Sequence, residues 1–121
     1  MKSELENLEC YKCACDFCRL ISNAVKTYFP EDEKYRLTDQ IIRASRSTPA
    51  NIAESYGRFH FKDIAKFLLN ARGSAYEVID HLQVALEEKY ISEDSFFLLK
   101  NKCINLIKII NGYYRYVKGR Q

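Results

Sequence analysis

Residues 96–117 read FFLLKNKCINLIKIINGYYRYV, and within them Phe96, Leu99, Cys103, Leu106, Ile110, Tyr113 and Val117 recur at alternating steps of three and four. Those steps put all seven side chains on one stripe of an α-helix about six turns long. Ser92 stands where an N-cap is wanted, and Gly119 where such a helix ends. The repeat also suits a coiled-coil seam. Tyr113, Tyr114 and Tyr116 near its end add apolar surface beyond what one core needs, so a contact between subunits is expected too.

The same test applied toward the N-terminus finds Cys10, Ala14, Phe17, Ile21, Ala24 and Tyr28 on one stripe, which the charged Phe29–Glu33 connection around Pro30 brings to an end. A second stripe passes through Leu37, Ile41, Ala44, Thr48 and Ile52, with Thr38 and Asp39 as early caps. Pro49 interrupts it and leaves two readings: Thr48 caps a fresh helix, or one long helix bends there. Tyr56, Gly57, Arg58 and Phe59 read as a short corner. Beyond it Phe61, Ile64, Leu68, Ala71, Ala75, Val78 or Ile79, Leu82 and Ala85 predict a long helix that stops near Lys89. Four amphipathic helices with short joints predict an all-α fold, an antiparallel up-and-down four-helix bundle with residues 1–121 as one domain.

Composition agrees with this. A chain of 121 residues, 47% of them hydrophobic, buries one core and hardly two. Its 4 Gly and 2 Pro are too few for a turn-rich β fold or a flexible linker. No apolar run approaches the roughly 18 residues that cross a bilayer, so no membrane partner is expected. Met1 to Glu9 is acidic and polar where an export signal shows basic residues followed by an apolar run. The expected location is therefore cytoplasmic, with all five cysteines as reduced thiols.

Net charge is only +3, but its distribution along the chain is uneven. Residues 34–72 and 100–121 are basic blocks, and 1–33 and 73–99 are acidic ones. Folded into neighbouring helices, these blocks either neutralise one another or gather a positive face that attracts phosphates.

Residues that could carry chemistry do not converge. On a helix Cys10, Cys13, Cys15 and Cys18 splay around the axis at about 100° per residue, so they read as small packed side chains rather than ligands of one ion. Cys103 belongs to the last apolar stripe. His60 and His81 have neither a metal-site spacing nor a nucleophile beside them, and the four glycines are too scattered for a phosphate-cradling loop. No enzymatic activity, metal or cofactor is expected.

Gln40, Arg43, Ser47, Asn51, Glu54 and Arg58 form a polar stripe opposite the apolar one. It reads either as an ordinary wet face with a Glu54–Arg58 pair or as a surface with a partner. Asn51 suits a helix interior only if its amide is bonded. Gly73 and Ser74 in mid-helix suggest close approach of another helix, since glycine there costs about 1 kcal/mol relative to alanine.

The run LTDQIIRASRSTPANIAESYGR, residues 37–58, carries Gln40, Ser47, Pro49, Asn51, Glu54 and Gly57. With the FPEDEKYRL connection before it and Phe67, Leu68, Ala71, Gly73, Ser74 and Glu77 after it, it resembles the four-helix proteins encoded within intervening sequences of bacterial 23S ribosomal RNA genes. That family includes the accessory variability proteins of diversity-generating retroelements. One departure is Ser55, which stands where the family usually has glycine. The resemblance implies an antiparallel four-helix bundle that assembles as a ring-like homopentamer with a basic surface and associates with nucleic acid without enzymatic activity. In the retroelement branch it implies a reverse transcriptase and its RNA as partners.

The expected function is accordingly that of a homo-oligomeric, nucleic-acid-associated module, RNA being favoured, that attaches to backbone phosphates. Its expected contacts are Arg43, Arg46, Arg58, Lys62, Lys66 and Arg72 from one basic block, with Lys108, Arg115, Lys118 and Arg120 from the other. The alternative is a protein-interaction scaffold that docks a larger enzyme such as a reverse transcriptase.

Overall fold

The computed structural model describes residues 4–120. A short helix α1 (Glu4–Asn7) leads into α2 (Glu9–Tyr28), and a 3-10 turn at Glu31–Glu33 precedes α3 (Leu37–Tyr56). Two long helices follow, α4 (Phe61–Glu87) and α5 (Glu93–Lys118), and the described residues contain no strand. Contacts between helices run in opposite senses along the chain. Cys18 of α2 meets Ser45 of α3 while Glu4 meets Tyr56, and Ser47 of α3 meets Ser74 of α4 while Arg58 lies over Phe67. Cys103 of α5 meets Ala75 of α4 while Asn111 meets Arg72. Each neighbouring pair is therefore antiparallel. Helix α5 also packs on α2, which closes the ring and leaves α3 and α5 on the diagonal.

The predicted stripes are the core. Ile21, Ile41, Ile52, Leu68, Leu82, Leu106 and Ile110 are fully buried, and truncating any one of them to alanine costs about 2–5 kcal/mol. Val78 takes the inward position and Ile79 the flank. On α2 the buried line ends at Val25; Ala24 is only half-buried and Tyr28 is exposed. Tyr28 occupies the last turn of α2, where α5 has barely begun, and Phe29 covers the core edge instead.

Helix α3 runs through Pro49 without a break, which settles the two readings of that residue in favour of one helix. Proline at 49 has no N–H to give the Ser45 carbonyl one turn back. That carbonyl belongs to a buried residue, and the Cys18 thiol of α2 donates to it at 2.8 Å. The proline and the cysteine are thus complementary: one strands an acceptor and the other satisfies it. Ser55 is buried and donates to the Ile52 carbonyl at 2.6 Å, so serine continues the helix where the family's glycine was expected.

Some local expectations are corrected. Thr38 and Asp39 lie inside the first turn of α3, whose N-cap, Arg36, makes no side-chain cap bond; Asp39 pairs with Arg43 instead. The corner is shorter than expected, since Tyr56 is still helical. At the opposite turn α4 ends with Lys89 at φ 63°. Tyr90 N–H donates to the Ala85 carbonyl and Lys89 N–H to that of Leu86, the Schellman pattern with lysine in the position that favours glycine. Ser92 caps α5 as expected, its Oγ accepting from Ser95 N–H at 3.1 Å.

Candidate nucleic-acid interface

The polar stripe of α3 does not stand opposite the core. It lies on its flank, toward α4. Asn51 Nδ2 donates to the Ser47 carbonyl and to Ser47 Oγ at 2.9 and 3.0 Å, and Ser74 Oγ of α4 donates to the same Ser47 Oγ at 2.9 Å. Three motif residues therefore form a half-buried knot joining two helices. Glu77 sits within 3.3 Å of buried His81 on its own helix. Gln40, Glu54, Gly57 and Gly73 are exposed, and Pro49 is half-buried. The expectation of close approach at Gly73 fails within the subunit, because a Cβ built there meets nothing within 4 Å. Gly73 instead lies on the outer face of α4 between exposed Leu69 and Tyr76.

Antiparallel packing sorts the charge blocks. The end of the bundle formed by the 57–60 turn and the last turns of α5 holds Arg58, Lys62, Lys66, Arg115, Lys118 and Arg120. Arg58 and Lys66 converge on one ring, at 4.8 and 5.6 Å from the centroid of Phe67. Phe61 of α4 packs against Tyr114 of α5 at 5.6 Å, which holds the start of α4 against the end of α5. Lys108, Asn111, Arg115 and Lys118 follow steps of three and four on α5, and Arg72 of α4 donates to Asn111 at 3.2 Å. That line therefore faces α4, and Arg72 and Lys108 extend the basic end along the α4–α5 side.

The other two expected contacts do not join it. Arg43 is paired with Asp39 at 3.0 Å and lies about 22 Å from Arg58 along α3 at 1.5 Å per residue. The two come from one basic block of the sequence, but most of an uninterrupted helix separates them. Arg46 faces α2, where its charge acts on the Cys18 thiol. Both sit on the helix diagonal to α5.

Carboxylates offset the basic end only in part. Glu54 pairs with Arg58 at 2.9 Å, and Glu4 accepts from Tyr56 OH at 2.8 Å, which raises the Tyr56 pKa. Lys62, Lys66, Lys108, Arg115, Lys118 and Arg120 make no ion pair with any described residue. Glu31, Asp32, Glu87, Glu88, Glu93 and Asp94 are all exposed at the opposite end. Glu6, Glu9 and Asp63 also lie at the first end, and Lys26, Lys34, Arg36 and Lys89 at the second, so the 57–60 end, the cationic end, is the more basic of the two and the 88–92 end the more acidic.

A cleft of about 340 Å³ opens at the cationic end, lined by Tyr56, Arg58, Phe59, Phe61, Tyr116 and Arg120 among others. Phe59 is 98% exposed and Tyr116 58%. Arg120 lies over the Tyr116 ring at 5.4 Å and donates to its hydroxyl at 3.0 Å. Periodicity cannot single out Phe59, because a turn residue belongs to no stripe. The available signal is the alternation of aromatic and basic side chains in Arg58-Phe59-His60 and in Tyr113 to Arg120.

None of the cysteines lines this cleft. Burial pushes the thiols of Cys10 and Cys103 up to about 12 and also raises those of Cys13 and Cys18. Such thiols stay protonated at neutral pH and are poor nucleophiles and poor ligands. Among the described residues no group of three or more His, Cys, Asp or Glu is placed to hold a metal ion, and no helix is long and apolar enough to cross a membrane.

Residues 6–112 match the model of a family described as 23S rRNA-intervening sequence protein. A solved structure from Bacteroides thetaiotaomicron, described as a protein with unknown function from the S23 ribosomal protein family, superposes with a TM-score of 0.79. It is 22% identical, and the match covers 87% of this chain and 97% of that one, so it supports the fold alone. No curated protein matches the chain.

Proposed function

The chain belongs to the 23S rRNA-intervening sequence protein family, and from that premise we propose that it is a non-enzymatic, RNA-associated helical bundle that grips backbone phosphates with its cationic end. One observation carries this reading. Helices α3, α4 and α5 deliver Arg58, Lys62, Lys66, Arg115, Lys118 and Arg120 to one end, and five of these six have no carboxylate partner among the described residues. A polyanion bound there releases counterions, so affinity falls steeply with salt, with a slope of about 0.7 to 0.9 per phosphate engaged. The more acidic end repels the same ligand and orients the bundle on it.

In this reading the module works as a cytoplasmic homo-oligomer. Support comes from the outer face of α4, where Leu69 and Tyr76 flank Gly73, a glycine with open space above it. Repetition of the cationic end around an assembly, a pentamer by family resemblance, replaces one tight contact with several weak ones. Exposed Tyr28, Phe97 and Leu98, beside the joint of α2 and α5, favour a second reading in which the oligomer also docks a larger protein such as a reverse transcriptase. Binding of a labelled RNA over a salt series tests the first reading: a steep loss of affinity supports it, and no binding at low salt rejects it. Co-precipitation with nuclease present separates direct protein docking from RNA bridging.

A further inference from the structure

We propose that the cleft at the cationic end receives an unpaired nucleobase stacked against Phe59 and Tyr116, so that the nucleic acid held there is single-stranded. This deepens, and rests on, the RNA-associated reading above.

The argument begins with Phe59. A phenylalanine that is 98% exposed contributes nothing to the core, and Phe59 makes no ring contact with another described aromatic. Its turn does not need it for closure, since Gly57 N–H bonds to the Ala53 and Glu54 carbonyls, Arg58 N–H to that of Ser55, and Asp63 and Ile64 N–H to that of His60. The same cleft is lined by Tyr116, also more than half exposed, its ring stacked on Tyr113 at 6.4 Å and overlaid by the Arg120 guanidinium at 5.4 Å, which an entering base displaces or stacks upon. The cleft, at about 340 Å³, lies at the lower end of the range that takes small organic ligands.

Charge selects the occupant. Arg58 and Arg120 both line the cleft, so the flat apolar surface is framed by cations. Flat rings framed by cations match a nucleotide: the rings take the base face, and the cations take the phosphates on either side. In a duplex both faces of each base are covered by its neighbours, so only the phosphates would be engaged. The two forms of nucleic acid therefore use different parts of the same end. Stacking needs no particular base, so single-strand preference comes without sequence preference.

The test uses the full chain and two fluorescein-labelled RNAs, a short single-stranded poly-U and a duplex with the same number of phosphates, titrated by anisotropy at low salt and then over a salt series. Single strand is expected to bind at least tenfold tighter than duplex. Phe59→Ala and Tyr116→Ala are each expected to weaken single-strand binding by roughly 5- to 100-fold while leaving duplex affinity and the salt slope unchanged. Tyr116→Phe keeps the ring and is expected to bind as wild type. Equal affinity for the two RNAs, or Phe59→Ala binding poly-U like wild type, overturns the inference while the phosphate-binding reading stands. A change in sedimentation mass on Phe59→Ala, with poly-U binding intact, also overturns it and makes the ring a contact between copies. Failure of both RNAs to bind at low salt removes the two readings together.

Discussion

The two ends of this bundle are built from the same kinds of residue and put them to opposite uses. At the 88–92 end, Phe29 and Tyr90 pack ring to ring at 5.9 Å, Tyr90 OH donates to Glu33 at 2.8 Å, and Ile91 is buried beneath them. At the 57–60 end the rings of Phe59 and Tyr116 are left facing solvent among arginines and lysines. Each end also has a tyrosine bonded to a glutamate, Tyr90 to Glu33 and Tyr56 to Glu4. The 88–92 end leaves rings open too, Tyr35 at 86% exposure beside Lys34 among them, but only at the 57–60 end do exposed rings line one cleft together with two arginines, which packing does not explain. Contact with a ligand does.

The largest expected effect comes from reversing charge at one end or the other. Lys62→Glu with Lys118→Glu is expected to lower RNA affinity about 100-fold or more at low salt, because two phosphate contacts become repulsions. Glu87→Lys with Glu88→Lys at the far end is expected to leave affinity undiminished. Anisotropy titrations of the two double variants, side by side, would break the comparison if their losses were equal.

Next in size is the contrast in stability between a packed ring and an open one. Phe29→Ala removes a half-buried ring from the core edge and is expected to cost about 2–3 kcal/mol, below the range for a fully buried phenylalanine. Phe59→Ala is expected to stay within about 0.5 kcal/mol of wild type, as surface substitutions do. Urea unfolding followed by circular dichroism measures both.

The turns themselves carry a smaller and inverted contrast. Lysine occupies the left-handed position at Lys89, while Gly57 has an ordinary φ of −82° and room for a Cβ. Lys89→Gly is expected to stabilise the fold by about 1 kcal/mol, and Gly57→Ala to change it by less than about 0.5 kcal/mol. A destabilised Lys89→Gly variant would mean that the lysine side chain has a role of its own there.

Alkaline pH gives the subtlest separation. Hydrogen bonding to Glu33 pushes the Tyr90 phenol up from 10.0 to about 12. A raised folded pKa means that the bond's contribution is complete below pH 10 and lost as pH climbs through about 12. Tyr90→Phe is expected to remove the part of the alkaline destabilisation that falls in that window; tyrosinate absorbance with parallel melting curves would show whether it does.

Much of this fold is legible in the sequence, because a period of 3.6 residues and a buried face are the same fact stated twice. Leu37, Ile41, Ala44, Thr48 and Ile52 are all buried as the spacing requires. Local rules stop where a second helix decides the outcome. Pro49 reads equally as the start of a fresh helix or a bend in a long one until Cys18, thirty-one residues away, is found on the stranded Ser45 carbonyl. Asn51 reads as misplaced until Ser47 and Ser74 complete its knot. The candidate site is legible as a list of cations and not as a place. Arg58 and Arg120 are separated in sequence by the whole of α4 and α5 yet line one cleft, whereas Arg43, near the start of α3, lies remote from Arg58 just beyond its end. Phe59 escapes because its significance is its exposure, which only the folded chain reveals.

The central claim is that cations gathered at one end bind nucleic-acid phosphates. Its most direct test is the slope of log affinity against log salt for single-stranded RNA, compared between wild type and a variant with Arg58, Lys62, Lys66, Arg115, Lys118 and Arg120 all changed to glutamine. The account predicts a steep negative slope for wild type and a nearly flat, weak one for the variant. A wild-type slope near zero, or a variant slope equal to that of wild type, would contradict it.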